Sequence, residues 1–409
     1  MKRVVVTGAG VISPLGNDWP SVLEYLRSER NAVRVMPEWS IYRGLNTRLG
    51  APAADFEMPE HFTRKTTRSM GRVALMATLA TERALKDAGL LGDPALTGGD
   101  VGIAYGSSSG TPAAMGDFGR MLLEKTTDGI TATTYIKMMS HSAPVNMGVF
   151  FGITGRIIPT SSACTSGSQG IGYAFEAIRY GRQKVMLAGG AEELDATAAA
   201  VFDTLFATSC RNEEPARTPR PFDRDRDGLV LGEGACTLVL EDLDHARRRG
   251  ARILAEVIGY GTNSDGRHVT QPNQATMAQA MRLALADANL PASEIGYVNA
   301  HGTATDHGDI AESHAMAEVY GSCVPVSSLK GYMGHTLGAC GAIEAWISIE
   351  MMRSGWFAPN INLDEVDPRC AELDYIGRGG KAMDIDVIAS NNFAFGGINT
   401  SLLFRRWVE

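Results

Sequence analysis

The sequence lacks a hydrophobic run long enough to cross a membrane. All its apolar stretches fall short of the roughly 18 residues that a spanning helix needs. Near the amino terminus, the basic pair Lys2 and Arg3 is followed by only three consecutive aliphatic residues. A secretory leader needs about 7–15 apolar residues at this place. We therefore expect a cytoplasmic protein that does not associate with membranes.

Paired cysteines and an excess of positive charge are also lacking. The six cysteines, at positions 164, 210, 236, 323, 340 and 370, include no Cys-x-x-Cys pair, which argues against a disulfide framework and a zinc site. Lys and Arg number 38 against 46 Asp and Glu, which gives a net charge of −8. This balance argues against a non-specific nucleic-acid binder.

The 409 residues, of which 44% are hydrophobic, suffice for one large core or two. Short apolar segments typical of buried strands alternate with segments of helical periodicity. The periodicity predicts a helix over residues 69–89. The alternation predicts an α/β architecture with largely buried sheets. The predicted strands are Val4–Val6, Val101–Ala104, Val185–Ala188, Ile253–Ile258 and Val387–Ala389.

An internal repeat divides the chain. The sequence ALKDAGL at residues 84–90 recurs as ALADANL at residues 284–290. Ser161–Cys164 is echoed, in the same order along the chain, by Ser327–Lys330. Ordered matches of this kind indicate duplication, and no low-complexity linker separates the copies. The predicted halves, which share one compact body, are residues 1–250 and residues 251–409.

Two motifs resemble ligand sites but depart from them. Residues 7–13 (TGAGVIS) follow a strand as a dinucleotide fingerprint does, but Ser13 replaces the third glycine. Residues 223–228 (DRDRDG) begin like a calcium loop, but the twelfth position is Gly234 instead of glutamate. Arginines lie between these carboxylates, which favours a structural Arg–Asp network.

One cysteine, Cys164, lies among small residues just before a predicted helix that includes residues 174–178. The positive end of a helix dipole lowers the pKa of a thiol and favours the thiolate. Small neighbours also leave room for a bulky thioester. From this segment alone, a nucleophile and a buried structural cysteine are equally supported.

The second half adds two histidines and a lysine at glycine turns. His301 follows a predicted strand, whereas Lys330 and His335 lie in a later turn ahead of a helix that carries Glu344. Strand ends of α/β folds present functional groups, so this recurrence favours catalytic over structural histidines. A metal site is not expected, because no spacing matches a known ligand motif. The histidines considered for it are His301, His307 and His314.

These motifs together resemble one enzyme family. Cys164, residues 301–305 (HGTAT), Lys330 with Gly334-His335, and residues 392–399 (NFAFGGIN) are similar in type and order to the β-ketoacyl-acyl-carrier-protein synthases. The similarity is to the elongating, Cys-His-His type and covers essentially the whole chain. It implies a thiolase fold, in which two duplicated halves form a five-layer α-β-α-β-α body. It also implies a homodimer, and a heterodimer with a second synthase-like subunit stays open.

The resemblance implies a reaction in two stages. Cys164 takes an acyl group from the phosphopantetheine thioester of an acyl carrier protein. A malonyl-carrier protein then loses CO₂, and its carbanion attacks the acyl-Cys164 thioester. The product is a 3-oxoacyl chain that is two carbons longer. The carrier's phosphopantetheine holds the substrates, so no metal or other cofactor is expected.

The resemblance also implies roles for further residues. His301 and His335 donate hydrogen bonds from Nε2 to the enolate oxygen that forms on decarboxylation. Lys330 holds His301, and Glu344 orients the surroundings of Lys330. The backbone N–H groups of Cys164 and Phe395 form an oxyanion hole for the acyl carbonyl.

Other residues are implied to bind the substrate and its carrier. Thr303 and Thr305 match positions that hydrogen-bond the pantetheine arm. Carrier proteins are acidic, so a local basic patch has to attract them to this acidic enzyme. Two of its arginines are four residues apart and share a helix face if the segment opens the helix of residues 69–89. The expected docking residues are Arg64, Lys65 and Arg68.

Three positions depart from the family pattern. Asp306 stands where the family commonly has proline, and Ala394 precedes Phe395 where glycine is frequent. The Cβ of Ala394 restricts the backbone, so a gate formed by this loop is expected to be stiffer. Ser109 lies where the family lines its acyl pocket, sometimes with a bulky aliphatic. The acyl substrate therefore stays open between a fatty-acid chain and a specialised polyene or polyketide chain.

Other functions are open but less well supported. A thiolase carries a second catalytic cysteine in its last glycine turn, which residues 393–395 (FAF) do not contain. An initiating synthase has asparagine where His335 stands. A non-catalytic partner subunit that controls chain length would have lost the nucleophile. A Cys-His thioester hydrolase would not explain the second histidine and Lys330.

Overall fold

The structure, a computed structural model, describes residues 1–408. Short loops connect sixteen strands and thirteen α-helices within this range. The strands are β1 (Val4–Ile12), β2 (Arg34–Val35), β3 (Leu49–Ala51), β4 (Val101–Gly106), β5 (Ile157–Pro159), β6 (Val185–Glu192), β7 (Leu231–Gly232), β8 (Gly234–Asp242), β9 (Ala255–Ser264), β10 (Tyr297–Asn299), β11 (Pro325–Ser327), β12 (Trp356–Phe357), β13 (Asp374–Tyr375), β14 (Lys381–Ala382), β15 (Val387–Phe393) and β16 (Ile398–Arg406). The helices are α1 (Trp19–Arg27), α2 (Arg64–Thr67), α3 (Arg72–Asp87), α4 (Pro112–Glu124), α5 (Ala132–Met138), α6 (Ser142–Phe151), α7 (Ser166–Arg179), α8 (Ala196–Asp203), α9 (Leu243–Arg248), α10 (Gln274–Ala288), α11 (Asp306–Tyr320), α12 (Lys330–Met333) and α13 (Cys340–Ser354).

The main sheet repeats one strand arrangement in mirror order. Its order is β13-β11-β10-β15-β16-β9-β1-β8-β6-β4-β5. The series β5-β4-β6-β8-β1 therefore corresponds to β11-β10-β15-β16-β9. In both series the first three strands are parallel and the fourth is antiparallel. The two series join where β1 pairs with β9, from Val4 opposite Val257 to Val6 opposite Ala255.

Helices cover both faces of each half-sheet, which gives five layers. Helices α3 and α6 pack on the outer face of the first half-sheet, and α10 and α11 on the outer face of the second. Helices α7 and α13 lie between the half-sheets in a core cluster that includes residues of both. In β6, Leu187 faces the outer helices and Ala188 the central ones, as the period of two in a strand requires. The predicted five-layer α/β fold is confirmed.

Close packing of a helix on a glycine-containing strand accounts for the sequence repeat. A Cβ added at Gly10 in β1 would lie 2.0 Å from the carbonyl oxygen of Ala80 in α3. A Cβ added at Gly261 in β9 would lie 2.1 Å from that of Ala280 in α10. The glycines that resemble a dinucleotide fingerprint therefore allow helix α3 to approach the strand. Ala84 of ALKDAGL and Ala284 of ALADANL belong to the same contacts, since their backbone nitrogens would lie 2.6 Å and 2.5 Å from the added Cβ atoms.

The helix predicted over residues 69–89 is shorter and does not include the basic segment. Helix α3 begins at Arg72 with Gly71 as its N-cap, and α2 is a separate single turn over Arg64–Thr67. A Cβ at Gly71 would overlap the Thr111 side chain, at 1.8 Å from its Oγ1. Gly71 therefore lies in close contact with Thr111 at the break between α2 and α3. The condition that residues 64–68 open the long helix, on which the shared face of Arg64 and Arg68 was to depend, is therefore not met.

The echo between Ser161–Cys164 and Ser327–Lys330 is out of structural register. Ala163 and Leu337 share left-handed φ values of 49° and 46° just before the central helices, so they are the equivalent residues. Helix α12 is an insertion in the second half that carries Lys330. Division of the chain at residue 250 stays a prediction.

The aspartates at residues 223–228 bind arginine, as predicted. Asp223 accepts a hydrogen bond from Nε of Arg220 at 3.0 Å, and both side chains are buried. Arg226 is paired with Asp367 at 2.6 Å.

Within residues 1–408, no helix has both the length and the apolar character that crossing a membrane requires.

Candidate active site

The ends of three strands bring the predicted catalytic side chains together. Cys164 lies between β5 and α7, and His301 follows β10 by two residues. Lys330 begins α12 shortly after β11, and His335 lies between α12 and α13. All four side chains are buried. They therefore meet at the carboxyl edge of the parallel strands, as the sequence predicts.

His335 contacts the thiol directly and is held in one tautomer. Its Nε2 lies 3.0 Å from Sγ of Cys164. The backbone N–H of Leu337 donates to Nδ1 of His335 at 3.2 Å. Because a backbone N–H group can only donate, Nδ1 accepts, and the proton of the neutral ring is on Nε2. Nε2 therefore donates a hydrogen bond towards the sulfur.

Lys330 fixes the tautomer of His301 in the same way. Its Nζ lies 3.2 Å from Nδ1 of His301 and 2.5 Å from Oε1 of Glu344. An ammonium group has no acceptor, so Nδ1 of His301 accepts and Nε2 carries the proton. The two histidine rings meet edge to face, with centroids 5.1 Å apart. Both rings therefore carry the proton on Nε2, and the two rings lie next to each other beside Cys164.

Burial controls the ionisation of these groups. Burial, with help from the Lys330 charge, lowers the pKa of both His301 and His335 well below the usual range, so both rings are neutral near pH 7. Burial alone would lower the pKa of Lys330, but the Glu344 carboxylate raises it, and the lysine stays charged.

The net pKa of Cys164 is raised, although its place before helix α7 was expected to favour the thiolate. Burial raises the pKa of this thiol to about 11, against the opposing effects of the Lys330 charge and of hydrogen bonds from the backbone N–H groups of Phe395 and Cys164. Loss of solvation outweighs these stabilising contacts. In this structure the resting residue is a thiol.

Two carboxylates on α11 hold the His301 turn, and the sequence analysis gave them no role. Glu312 accepts hydrogen bonds from the backbone N–H groups of His301 at 2.6 Å and Gly302 at 2.7 Å. Asp309 accepts one from the N–H of Thr303 at 3.0 Å. Residues three apart share a helix face, and this spacing after the histidine turn was the available sequence signal.

Asn392 is a further buried residue of the site that the sequence analysis assigned no role. Its Nδ2 donates to Oε2 of Glu344 at 2.8 Å and lies 3.4 Å from Nδ1 of His301. The Glu344 carboxylate therefore has contacts on both oxygens, one with Lys330 and one with Asn392. Glu344 was expected to orient the surroundings of Lys330, whereas in the structure it forms a direct ion pair with Lys330.

A cavity of about 560 Å³ leads to these groups. Cys164, His301 and His335 line it, and the ring of Phe395 stacks on Phe202 with centroids 5.1 Å apart. Most residues predicted to bind the substrate also line this cavity. They are Thr303, Thr305 and Ala394.

Ser109 is not among the described residues that line the cavity. The backbone N–H of its neighbour Ser108 donates to Oε2 of Glu192 at 2.9 Å, and that of Gly338 does so at the same distance. Burial raises the pKa of Glu192 to about 7. This contact holds the loop against the start of the central helix, away from the cavity. Ser109 does not line this cavity in the single chain, and its place in an acyl pocket stays a prediction.

Cys164, His301 and His335 are also close enough for one metal ion to reach all three. Their ligand atoms lie within 4.8 Å of one another. The buried charge of Lys330 next to His301 disfavours a cation at this point. The other two histidines considered for a metal in the sequence lie elsewhere. His307 is exposed beside Asp306, and His314 contacts the carbonyl of Arg369.

The remaining departure from the family pattern and the predicted docking residues lie at the surface. Asp306, in place of proline, forms an ion pair with Arg369 at 2.5 Å. Arg64, Lys65 and Arg68 are exposed. Arg68 has helical backbone angles as the C-cap of α2, so it shares a face with Arg64.

The chain matches known proteins along its length. Residues 1–246 match the family model "Beta-ketoacyl synthase, N-terminal domain", and residues 254–364 match "Beta-ketoacyl synthase, C-terminal domain". The 3-oxoacyl-[acyl-carrier-protein] synthase 1 of Haemophilus influenzae is 35% identical over 416 residues, which cover 100% of both chains.

Two solved structures resemble the chain throughout. A β-ketoacyl synthase from Burkholderia phymatum STM815 has 57% identity and a TM-score of 0.99, with 100% of both chains covered. AntDE:AntF, a type II polyketide-synthase acyl carrier protein in complex with its ketosynthase, has 31% identity and a TM-score of 0.87, with 99% of this chain and 100% of that one covered. The chain belongs to the β-ketoacyl synthase family and is an acyltransferase of the condensing type.

Proposed function

We propose that this protein is an elongating 3-oxoacyl-[acyl-carrier-protein] synthase in which Cys164, His301 and His335 carry the chemistry. The observation that supports this proposal most strongly is the pair of fixed tautomers. Both Nδ1 atoms accept hydrogen bonds, so both rings carry their proton on Nε2, and both histidines line the cavity beside Cys164. Two such donors suit an enolate oxygen.

In the first stage Cys164 accepts the acyl group. Its sulfur attacks the thioester carbonyl, the bond from that carbonyl to the pantetheine sulfur breaks, and the thiol proton ends on the departing sulfur. The backbone N–H groups of Cys164 and Phe395 bind the oxyanion that forms. The Lys330 charge, which favours the thiolate, assists the attack.

In the second stage malonyl-carrier protein supplies the carbon nucleophile. The bond between its carboxylate and methylene carbons breaks, and CO₂ leaves. The enolate oxygen receives hydrogen bonds from Nε2–H of His301 and of His335. The methylene carbon then attacks the acyl carbonyl, and the sulfur of Cys164 leaves, which completes a chain longer by two carbons.

The fixed tautomers also argue against the alternative functions. A thioester hydrolase needs a histidine nitrogen free to accept the proton of an attacking water. Neither Nε2 of His301 nor that of His335 is free in this way. A non-elongating partner subunit is disfavoured because the nucleophile and both histidines are present and converge.

Partners and substrates follow from this function. The proposed partner is an acyl carrier protein, in agreement with the names of the H. influenzae relative and of the AntDE:AntF complex. The carrier's phosphopantetheine holds the substrates, and no other cofactor is proposed. The functional unit is proposed as a homodimer or as a heterodimer with a second synthase-like subunit. The acyl chain is a fatty, polyene or polyketide chain.

The function is tested by following mass on the protein and on the carrier. Incubation with an acyl-carrier protein should add one acyl group to the tryptic peptide that contains Cys164. Addition of malonyl-carrier protein should then release one CO₂ per 3-oxoacyl-carrier formed. Release of free acid without a condensed product would show a hydrolase instead. Trapping the acyl group in cells and weighing it identifies the natural chain.

Replacing either histidine with alanine should slow decarboxylation more than acyl transfer. Removal of one hydrogen bond to a developing oxyanion costs roughly 10²–10³-fold in rate. His301→Ala and His335→Ala should therefore each lower CO₂ release by about this factor, while acylation of Cys164 falls much less. CO₂ release and the mass of the acylated peptide measure the two stages separately. Equal losses in both stages would assign the histidines another role.

Charge reversal on α2 should weaken the use of carrier-bound substrate. Arg64→Glu with Arg68→Glu replaces two exposed positive charges that attract an acidic carrier, and such attraction is screened by salt. The apparent KM for acyl-carrier protein should rise about tenfold at low ionic strength and less at high ionic strength.

The control for this docking surface uses a small substrate and a second arginine pair. Acylation by a pantetheine thioester without the carrier should be unchanged in the α2 variant. Arg34→Glu with Arg43→Glu changes the net charge equally at other exposed positions. Docking at α2 is wrong if both pairs act alike or if the small thioester is affected as strongly as the carrier substrate.

A further inference from the structure

Phe206 occupies a backbone position that normally favours glycine. It follows α8, where its N–H donates to the carbonyl of Asp203 at 2.9 Å and the N–H of Ala207 donates to that of Phe202 at 3.0 Å. This pattern is a Schellman motif, in which the residue at the Phe206 position adopts left-handed angles and is usually glycine. Phe206 has φ of +54°. The local backbone therefore does not account for a phenylalanine here.

Burial does not account for this phenylalanine either. The Phe206 side chain is 88% exposed, although it lines the cavity that leads to Cys164. Two more exposed apolar residues, Leu205 and Val269, line the same cavity. An exposed aromatic ring on a strained backbone at a cavity mouth indicates a function that requires it.

We propose that Phe206 is a specificity residue that contacts the pantoyl part of the phosphopantetheine arm. This inference rests on the proposed function. The arm carries two amides, which suit polar groups such as Thr303 and Thr305, and one bulky apolar part, the pantoyl gem-dimethyl group. That group needs an apolar wall, which Phe206 supplies together with Leu205 and Val269. Continuity of these residues with the cavity favours the arm over the carrier protein as the occupant.

The test compares three acyl donors with Phe206→Ala. The donors are acyl-carrier protein, acyl-pantetheine and acyl-N-acetylcysteamine, and the last of these lacks the pantoyl group. The KM should rise about three- to tenfold for the first two donors and stay unchanged for the third, while kcat changes little. The matched control is Val201→Ala, which removes an exposed apolar side chain from α8 outside the cavity lining and should leave all three KM values unchanged.

Phe206→Gly adds a readout that separates this contact from a structural role. Glycine relieves the strain of the left-handed position, so the midpoint of thermal unfolding should rise while the KM for acyl-pantetheine also rises. A KM increase restricted to acyl-carrier protein would assign Phe206 to the carrier surface and overturn the proposal. Unchanged KM values for every donor would also overturn it. Failure of wild-type protein to acylate Cys164 would instead reject the proposed function itself.

Discussion

Replacing Cys164 with alanine is expected to lower condensation by at least about 10⁴-fold, because no other group can carry the acyl chain between the two stages. The protein should still fold. Cys164 is buried in an apolar cluster with Leu337 and Cys340, and alanine leaves only a small void there. The histidines are held by contacts independent of the thiol, so CO₂ release from malonyl-carrier protein should persist. Product formation, CO₂ release and the unfolding midpoint measure these three expectations.

The matched control for the nucleophile is Cys340→Ala. The Cys340 thiol is buried close to Cys164, and its Sγ donates to the Cys164 carbonyl at 3.2 Å. This variant should still acquire one acyl group, located on the peptide that contains Cys164. Acylation that survives in Cys164→Ala but disappears in Cys340→Ala would show that the wrong cysteine has been assigned.

The sequence was informative where the chemistry depends on local chain geometry. Cys164 and His301 lie where a short strand opens into a turn of small residues, and His335 lies in the glycine turn between α12 and α13. Such turns can be recognised from residue types alone. Their convergence also follows, because parallel strands place their carboxyl ends at one edge. The repeat predicted the duplication, whereas the five layers were implied by the resemblance to the family.

Properties that depend on distant packing were missed or wrong. The pKa of Cys164 is raised because burial removes the thiol from water, and the residues that pack with it, such as Leu337 and Cys340, come from a distant part of the chain. Helix α3 begins only after its N-cap Gly71, which packs against Thr111, a residue 40 positions further along the chain. In each case the deciding neighbour is remote in sequence.

The second large effect is expected when Lys330 is replaced by methionine. Lys330 and Glu344 are both fully buried, and their ion pair measures 2.5 Å between Nζ and Oε1. Methionine has a similar length but leaves the Glu344 carboxylate without its counter-charge. Removal of one partner of a buried ion pair costs about 3–5 kcal/mol of folding stability. Denaturant unfolding of Lys330→Met should show a loss of this size.

A double variant separates this stability effect from the role of Lys330 at the site. In Lys330→Met with Glu344→Gln no buried charge is left unpaired, and the glutamine oxygen can still accept from Asn392. Most of the lost stability should therefore return. Condensation should not return, because the Lys330 ammonium no longer donates to Nδ1 of His301, and only the longer 3.4 Å contact with Nδ2 of Asn392 is left to hold the tautomer. The CO₂-release rate should stay at least about 10²-fold below wild type. Recovery of both stability and decarboxylation would reduce Lys330 to a structural residue, and the assignment of the His301 tautomer to its ammonium group would then be wrong.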